Sequence, residues 1–246
     1  MNKYVNLTLE NIEEEHLCCA ISDKKHETGV KLKKEWLKDR IKEGHVFRKL
    51  NVKGKVFIEY SPLDSAWVPV SGNDFSYIYC LWVSGSFKEN GYGKELLEYA
   101  IEDCKKQGKN GLCTISSKKK KPFVSEKQFF EKYGFKVVDT VGDYELLALC
   151  FNDEEPKFND NVRKMEIDNK DLTIYYSSQC PFTNNCIEEI EEYKKEKDVN
   201  INFEKIDTLE KAKNVPCIFN NWAVFKDGKF LSNTLLNKNS VDKLCK

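Results

Sequence analysis

The chain has 246 residues, and its 40 Lys and Arg balance 40 Asp and Glu to a formal net charge of zero. That balance gives no global electrostatic reason to expect nucleic acid or an anionic membrane as a partner. Hydrophobic residues make up 40%, with 15 Phe, 11 Tyr and 4 Trp, which is enough apolar surface for cores in one or two domains.

In chain order, a strand is predicted from Tyr4 to Leu9, then a helix from Ser22 with Val30, Trp36, Leu37 and Ile41 on one stripe. Gly44 stands where a helix stop belongs. Strands follow at His45–Leu50, Lys55–Tyr60 and Phe75–Ser84, all rich in β-branched and aromatic residues. Pro62 and Pro69 mark Ser61–Val70 as a loop or an edge excursion. A helix carrying Leu96, Leu97, Ala100, Ile101 and Cys104 comes next, then a strand at Gly111–Ser116, a short helix around Ser125–Tyr133 and two strands ending at Cys150. Residues 151–170 are polar, include Pro156, and read as a linker. Beyond them come a strand at Leu172–Ser177, a helix to about Lys197, a strand at Asn200–Asp207 and a short helix. A hairpin turning at Asp227-Gly228 and a last helix from Ser240 complete an α/β chain of two domains.

No apolar run approaches the roughly 18–20 residues of a membrane span, and the amino terminus lacks a signal-like run, so no membrane association and a cytoplasmic setting are expected. The ten cysteines lie mostly in apolar runs, the pattern of reduced core thiols. His16, His26 and His45 stand on no metal-like spacing, and no metal site is expected.

The segment Lys88-Glu89-Asn90-Gly91-Tyr92-Gly93 joins a strand to a helix. Helix-terminal N–H groups lack intrahelical partners and favour an anion, and glycines let a phosphate approach the backbone. Two glycines also suit a plain turn. With the strand Tyr77–Ser84 before them and Phe129-Phe130-Glu131-Lys132-Tyr133-Gly134-Phe135 after, residues 1–150 resemble the GNAT acetyltransferase superfamily. Its acyl-CoA loop is written Gln/Arg-x-x-Gly-x-Gly/Ala, with Lys88 here in the first position.

The resemblance implies a mixed, mostly antiparallel sheet flanked by helices, acetyl-CoA as acyl donor, and a small-molecule or peptide amine as acceptor. It implies that Lys88, Glu89, Asn90, Gly91, Tyr92, Gly93 and Lys94 wrap the pyrophosphate. Leu81, Trp82 and Val83 would pair with the pantetheine arm, the Val83 N–H polarising the thioester carbonyl. The family's usual acid, a Tyr, is replaced by Phe130, which leaves Tyr133 one turn on as the candidate acid. Glu59 is the candidate base. Lys118–Lys121 follow a strand beside the site and are candidates for the 3′-phosphate. Residues 22–44 and 61–74 are where such folds shape the acceptor pocket.

Cys180-Pro181-Phe182-Thr183 follows a strand and opens a helix, a place that favours a thiolate. With Val215-Pro216 before the hairpin, where such folds carry a cis-proline, residues 171–246 resemble a small thioredoxin-like α/β domain. The pairing resembles the YoaP-type GNAT proteins of bacteria. Thr183 fills the position of a second redox cysteine, so Cys180 is read as a reactive monothiol or as a structural residue capping the helix. Acetyl transfer is the expected activity. The alternatives are thiol-redox chemistry at Cys180 and acyl-CoA sensing without catalysis.

Overall fold

The computed structural model describes residues 3–17, 19–21 and 24–245. Two compact units divide the chain: Met1–Ser22, Leu37–Ala66 and Val70–Phe158 form the first, and Asp23–Trp36, Trp67–Pro69 and Asn159–Lys246 the second.

In the first unit, β1 (Tyr4–Asn6) leads through a turn towards α1 (Glu27–Lys42), which is divided between the units. Then come β2 (Val46–Leu50), β3 (Val56–Pro62), β4 (Val70–Ser71), β5 (Phe75–Val83), α2 (Tyr92–Lys106), β6 (Gly111–Ser117), α3 (Lys127–Glu131), β7 (Lys136–Val141), β8 (Tyr144–Cys150) and β9 (Lys157–Phe158). Seven of these strands form one sheet in the order β1-β2-β3-β5-β6-β8-β7, antiparallel throughout except β5 with β6.

Helix α2 lies on this sheet because Leu96, Leu97, Ala100 and Cys104 fall on one face and meet Val56, Ile58, Tyr60 and Ile78 in one core. The Tyr60 hydroxyl donates to Asp103 at 2.7 Å, tying α2 to β3, and burial pushes its pKa far up. By strand alternation, Phe47, Phe57 and Glu59 point to the opposite face, where Phe47 and Phe57 stack at 4.9 Å.

Three expectations shift here. The first strand stops at Asn6 rather than Leu9, because the Asn11 side chain accepts from Thr8 N–H and donates to Asn6 O, folding the chain back. Pro62 lies inside β3, at its last rung opposite Ser76. Residues 151–170 are more than a linker: Lys157 and Phe158 pair with β4, and Glu166 bridges to Lys229.

The second unit holds β10 (Leu172–Tyr176), α4 (Thr183–Lys197), β11 (Ile201–Lys205), α5 (Leu209–Lys213), β12 (Trp222–Lys226), β13 (Lys229–Ser232) and α6 (Lys238–Leu244). Its sheet runs β11-β10-β12-β13, with β10 and β11 parallel and the other pairs antiparallel. Ile187, Ile190 and Tyr193 of α4 and Val241 of α6 pack with Leu172, Ile174, Trp222 and Val224. The hairpin turns at Asp227 and Gly228, both at positive φ, the conformation that Asp-Gly suits. Met165, Ile167 and Lys170 bond along this hairpin through Phe230 N, Gly228 O and Asp227 N. The Val215–Pro216 peptide is trans, contrary to the cis bond the resemblance implies.

The boundaries expected at 150 and 171 differ from these units, because residues 23–36 and 67–69 group with the later chain. Lys25 pairs with Glu189 at 2.8 Å, the His26 ring meets Phe182 at 4.7 Å, and Trp36 packs edge-on to Trp67 at 5.6 Å. Gly29 is pressed against the Pro181 carbonyl so closely that a Cβ would lie 1.9 Å from its oxygen. The first half of α1, expected to shape the acceptor pocket of the first domain, belongs to the second unit.

Candidate active site

Strand β5 and strand β6 pair over only three rungs, Phe75 to Tyr77 against Gly111 to Cys113, although β5 continues to Val83 and β6 to Ser117. Past Tyr77 the two strands part. The free stretch begins at a bulge: Glu59 of β3 faces Cys80 and Tyr60 faces Ile78, so Tyr79 is an extra residue on β5. At the far end Ser84 N–H donates to Lys55 O at 3.0 Å, towards β3. Backbone groups alternate sides along a strand, so Trp82 also bonds towards β3, while Leu81 and Val83 turn N–H and C=O to the β6 side.

The glycine turn closes the end of this gap. A 3-10 turn at Gly85–Phe87 precedes Lys88, and the Asn90 amide holds the loop by donating to Ser86 O and Lys88 O at 3.1 and 2.8 Å. Gly91 caps α2 at φ 77° without a side-chain cap, and no atom lies within 4 Å of where its Cβ would stand. The N–H groups of the first turn of α2 therefore open outward. Gly93 is different: its Cβ would touch Phe129 at 3.4 Å and Val83 at 3.8 Å. Gly91 supplies the open approach and the left-handed turn; Gly93 supplies close packing with α3.

Tyr133 is half-buried, its ring 5.1 Å from Phe129, so it belongs to the aromatic group that borders Gly93. Phe130 points into the core and packs edge-on to Phe135 at 5.0 Å. The aromatic that faces the glycine turn is Phe129, the first residue of the aromatic motif, for which no role was expected.

Trp82 departs from expectation. It is 36% exposed, with the Lys55 ammonium over its ring at 4.9 Å and Phe57 6.4 Å away, and its backbone is turned to β3. Strand alternation sends it away from the gap. Lys118 and Lys121 are held at the β7–β8 turn, by Gly142 O at 2.9 Å and Asp143 at 3.0 Å, and the Asp143 carboxylate pushes the Lys121 pKa up.

Glu59 is 1% exposed, and its Oε1 lies 3.1 Å from His45 Nε2, itself 1% exposed. The His45 ring lies 5.1 Å from that of Tyr79, and Ser61 Oγ donates to the Tyr79 hydroxyl at 3.5 Å. Neither His45 nor Tyr79 was singled out from sequence. The usable signal for His45 was its place directly after Gly44, a helix stop that fixes the next residue.

In the second unit, β10 ends at a turn carrying Cys180. Thr183 Oγ1 donates to Ser177 O and Cys180 O at 3.0 and 2.9 Å, closing the turn into α4. Cys180 lines a cleft with Gly29, Tyr176, Asn184 and Lys205. Burial pushes the thiol of Cys186 up to about 11 and that of Cys217 up to about 12, so both stay protonated at neutral pH. Cys217 donates to Phe219 O at 3.3 Å.

Comparison with known proteins finds two families along the chain. Residues 54–137 match the Acetyltransferase (GNAT) domain family, and residues 201–243 match the YoaP-like family. The "Uncharacterized N-acetyltransferase YoaP" of Bacillus subtilis (strain 168) is 42% identical over 244 residues, covering 98% of this chain and 97% of that protein. Among solved structures, the PaiA N-acetyltransferase of Thermoplasma acidophilum in complex with coenzyme A is 20% identical, with a TM-score of 0.44 over 60% of this chain and 99% of that one. A GNAT-family acetyltransferase of Staphylococcus aureus Mu50 is also 20% identical, with a TM-score of 0.43 over 61% of this chain and 98% of that one. With its near full-length likeness to the Bacillus relative, the chain belongs to the YoaP family of GNAT N-acetyltransferases.

Proposed function

We propose that this chain transfers an acetyl group from acetyl-CoA to a primary amine of a small molecule or peptide in the cytoplasm. The observation that carries this reading is the gap past Tyr77, which offers two sets of backbone groups and ends at an open helix N-terminus. A pantetheine arm is amide-rich and extended, so it would pair with Leu81 and Val83 as an added strand would. Its pyrophosphate would meet the N–H groups of Gly91 to Lys94, with Lys88 supplying charge.

In the reaction the amine nitrogen attacks the thioester carbonyl carbon, the Val83 N–H stabilises the oxyanion, and the C–S bond breaks. The ammonium gives one proton to Glu59 before attack; as the adduct collapses, the departing CoA thiolate takes a proton from Tyr133, which regains one from the nitrogen as the amide forms. Trp82 is set aside as a pantetheine contact because its backbone turns to β3.

Incubation with acetyl-CoA and a panel of amino acids, polyamines and short peptides, read by mass spectrometry, tests the reading. It expects at least one enzyme-dependent acetylated amine. Tight acetyl-CoA binding with every amine unmodified would favour the sensor instead.

The second unit supports a second reading, a thioredoxin-like domain with Cys180 as its reactive thiol. The strand order β11-β10-β12-β13, with a helix after β10, supports that assignment, and the cleft beside Cys180 supports reactivity. Iodoacetamide at pH 6 should then label Cys180 well before the other thiols; uniformly slow labelling would remove it.

A further inference from the structure

We infer that His45 is the positioning residue for Glu59, and that the two form one buried imidazole–carboxylate pair which takes up the proton released by the acceptor amine. This rests on the acetyltransferase reading above.

The pair is built from two elements. Helix α1 ends in a two-bond backbone cap, with Gly44 N–H donating to Ile41 O at 3.1 Å and His45 N–H to Arg40 O at 3.0 Å, Gly44 standing at φ 90°. The backbone of His45 is thereby fixed before β2 begins. Glu59 comes from β3, where its rung partner is Cys80, at the bulge that starts the free stretch of β5. Both side chains are 1% exposed at 3.1 Å.

A carboxylate removed from water is strongly disfavoured unless a donor compensates it, and His45 Nε2–H is that donor. The pair then carries one negative charge. When the ammonium loses its proton, that proton enters the pair, which becomes neutral overall, and the amine is left uncharged for attack. The neighbouring groups include the half-buried Tyr79 and Cys80 from β5, Cys80 being the rung partner of Glu59, and Ser61 from β3, with the Arg40 carbonyl from α1 on the His45 backbone. Tyr79 and Cys80 are half-buried, whereas Ser61 is buried.

The chain has 3 histidines, so imidazole NMR of the full-length protein resolves each, with the His45→Gln variant assigning the third. In the wild type His45 should carry its proton on Nε2 near neutral pH. Glu59→Gln should weaken its proton affinity about tenfold or more, because the opposing charge is removed. His45→Phe should lower kcat on whichever panel amine is acetylated, with acetyl-CoA affinity unchanged. His45→Gln, which keeps an N–H donor, should recover part of that loss. Unchanged His16 and His26 signals certify folding of each variant. An Nδ1–H tautomer, or a His45 titration indifferent to Glu59→Gln, overturns the pair. Absence of acetyl-CoA binding by the wild type is a separate result, which removes the acetyltransferase reading and leaves the titration to judge the pair.

Discussion

Two strands of this chain end at a turn that opens a fifteen-residue helix, and the two turns are built in opposite ways. The turn after β5 is open: Gly91 has no neighbour where a Cβ would stand, and no side chain caps the first N–H groups of α2. The turn after β10 is closed: Thr183 bonds two of its carbonyls, and Gly29 presses its backbone on Pro181. A shared strand–turn–helix outline therefore does not share a chemistry. Neither helix carries a side-chain cap, so what differs is the packing over the turn: space at Gly91, protein at Pro181.

Substituting the open turn should have the largest effect. Gly91→Glu places a side chain at φ 77° and a carboxylate where an anion is expected, so acetyl-CoA binding should weaken by about 100-fold or more, read by titration calorimetry. Retained affinity would mean the turn is only a turn. Glu59→Gln should lower kcat by about 100-fold, within the usual range for losing a general base, with acetyl-CoA affinity little changed. Equal loss of both would point to a folding defect from breaking the pair with His45.

The closed turn answers to packing instead. Gly29→Val forces side-chain atoms into the Pro181 carbonyl and should destabilise by about 1–3 kcal/mol, read by urea unfolding. A neutral result would mean α1 is readily displaced from the Cys180 turn. Cys180→Ser should abolish rapid alkylation while acetyl-CoA affinity stays within about twofold.

The last effect is a pH dependence confined to alkaline conditions. Folded Cys186 and Cys217 hold their protons to about 11 and 12, whereas an unfolded thiol ionises near 8.5. The unfolded state therefore releases protons first. These two groups should leave stability unchanged below that value and lower it as pH rises from there towards 12. A Cys217→Ala variant should show a shallower alkaline decline, and an identical decline would assign the loss elsewhere.

These contrasts also mark how far the residues alone carry. Helix α2 was legible because Leu96, Leu97, Ala100 and Cys104 recur at helical spacing, and the last hairpin because Asp227-Gly228 prefers that turn. The glycine turn was legible as a motif, but its division of labour was not: whether a Cβ meets space or Phe129 depends on α3, thirty-odd residues away. Glu59 stood out as a strand carboxylate, yet its partner lies across a strand pair, and register across strands is not written in local pattern. The bulge at Tyr79 shifts one rung and turns Trp82 from the gap, a one-residue slip that alternation alone does not reveal. Nor did residues 24–36 announce that they pack with the Cys180 turn, since that contact rests on Gly29 having no side chain.

The most direct test of the central claim is calorimetric titration of acetyl-CoA into the full-length wild type and the Gly91→Glu variant. The wild type should bind with a Kd on the order of micromolar, about −8 kcal/mol, and the variant should lose that heat. No binding by the wild type, or equal binding by both, would contradict that claim.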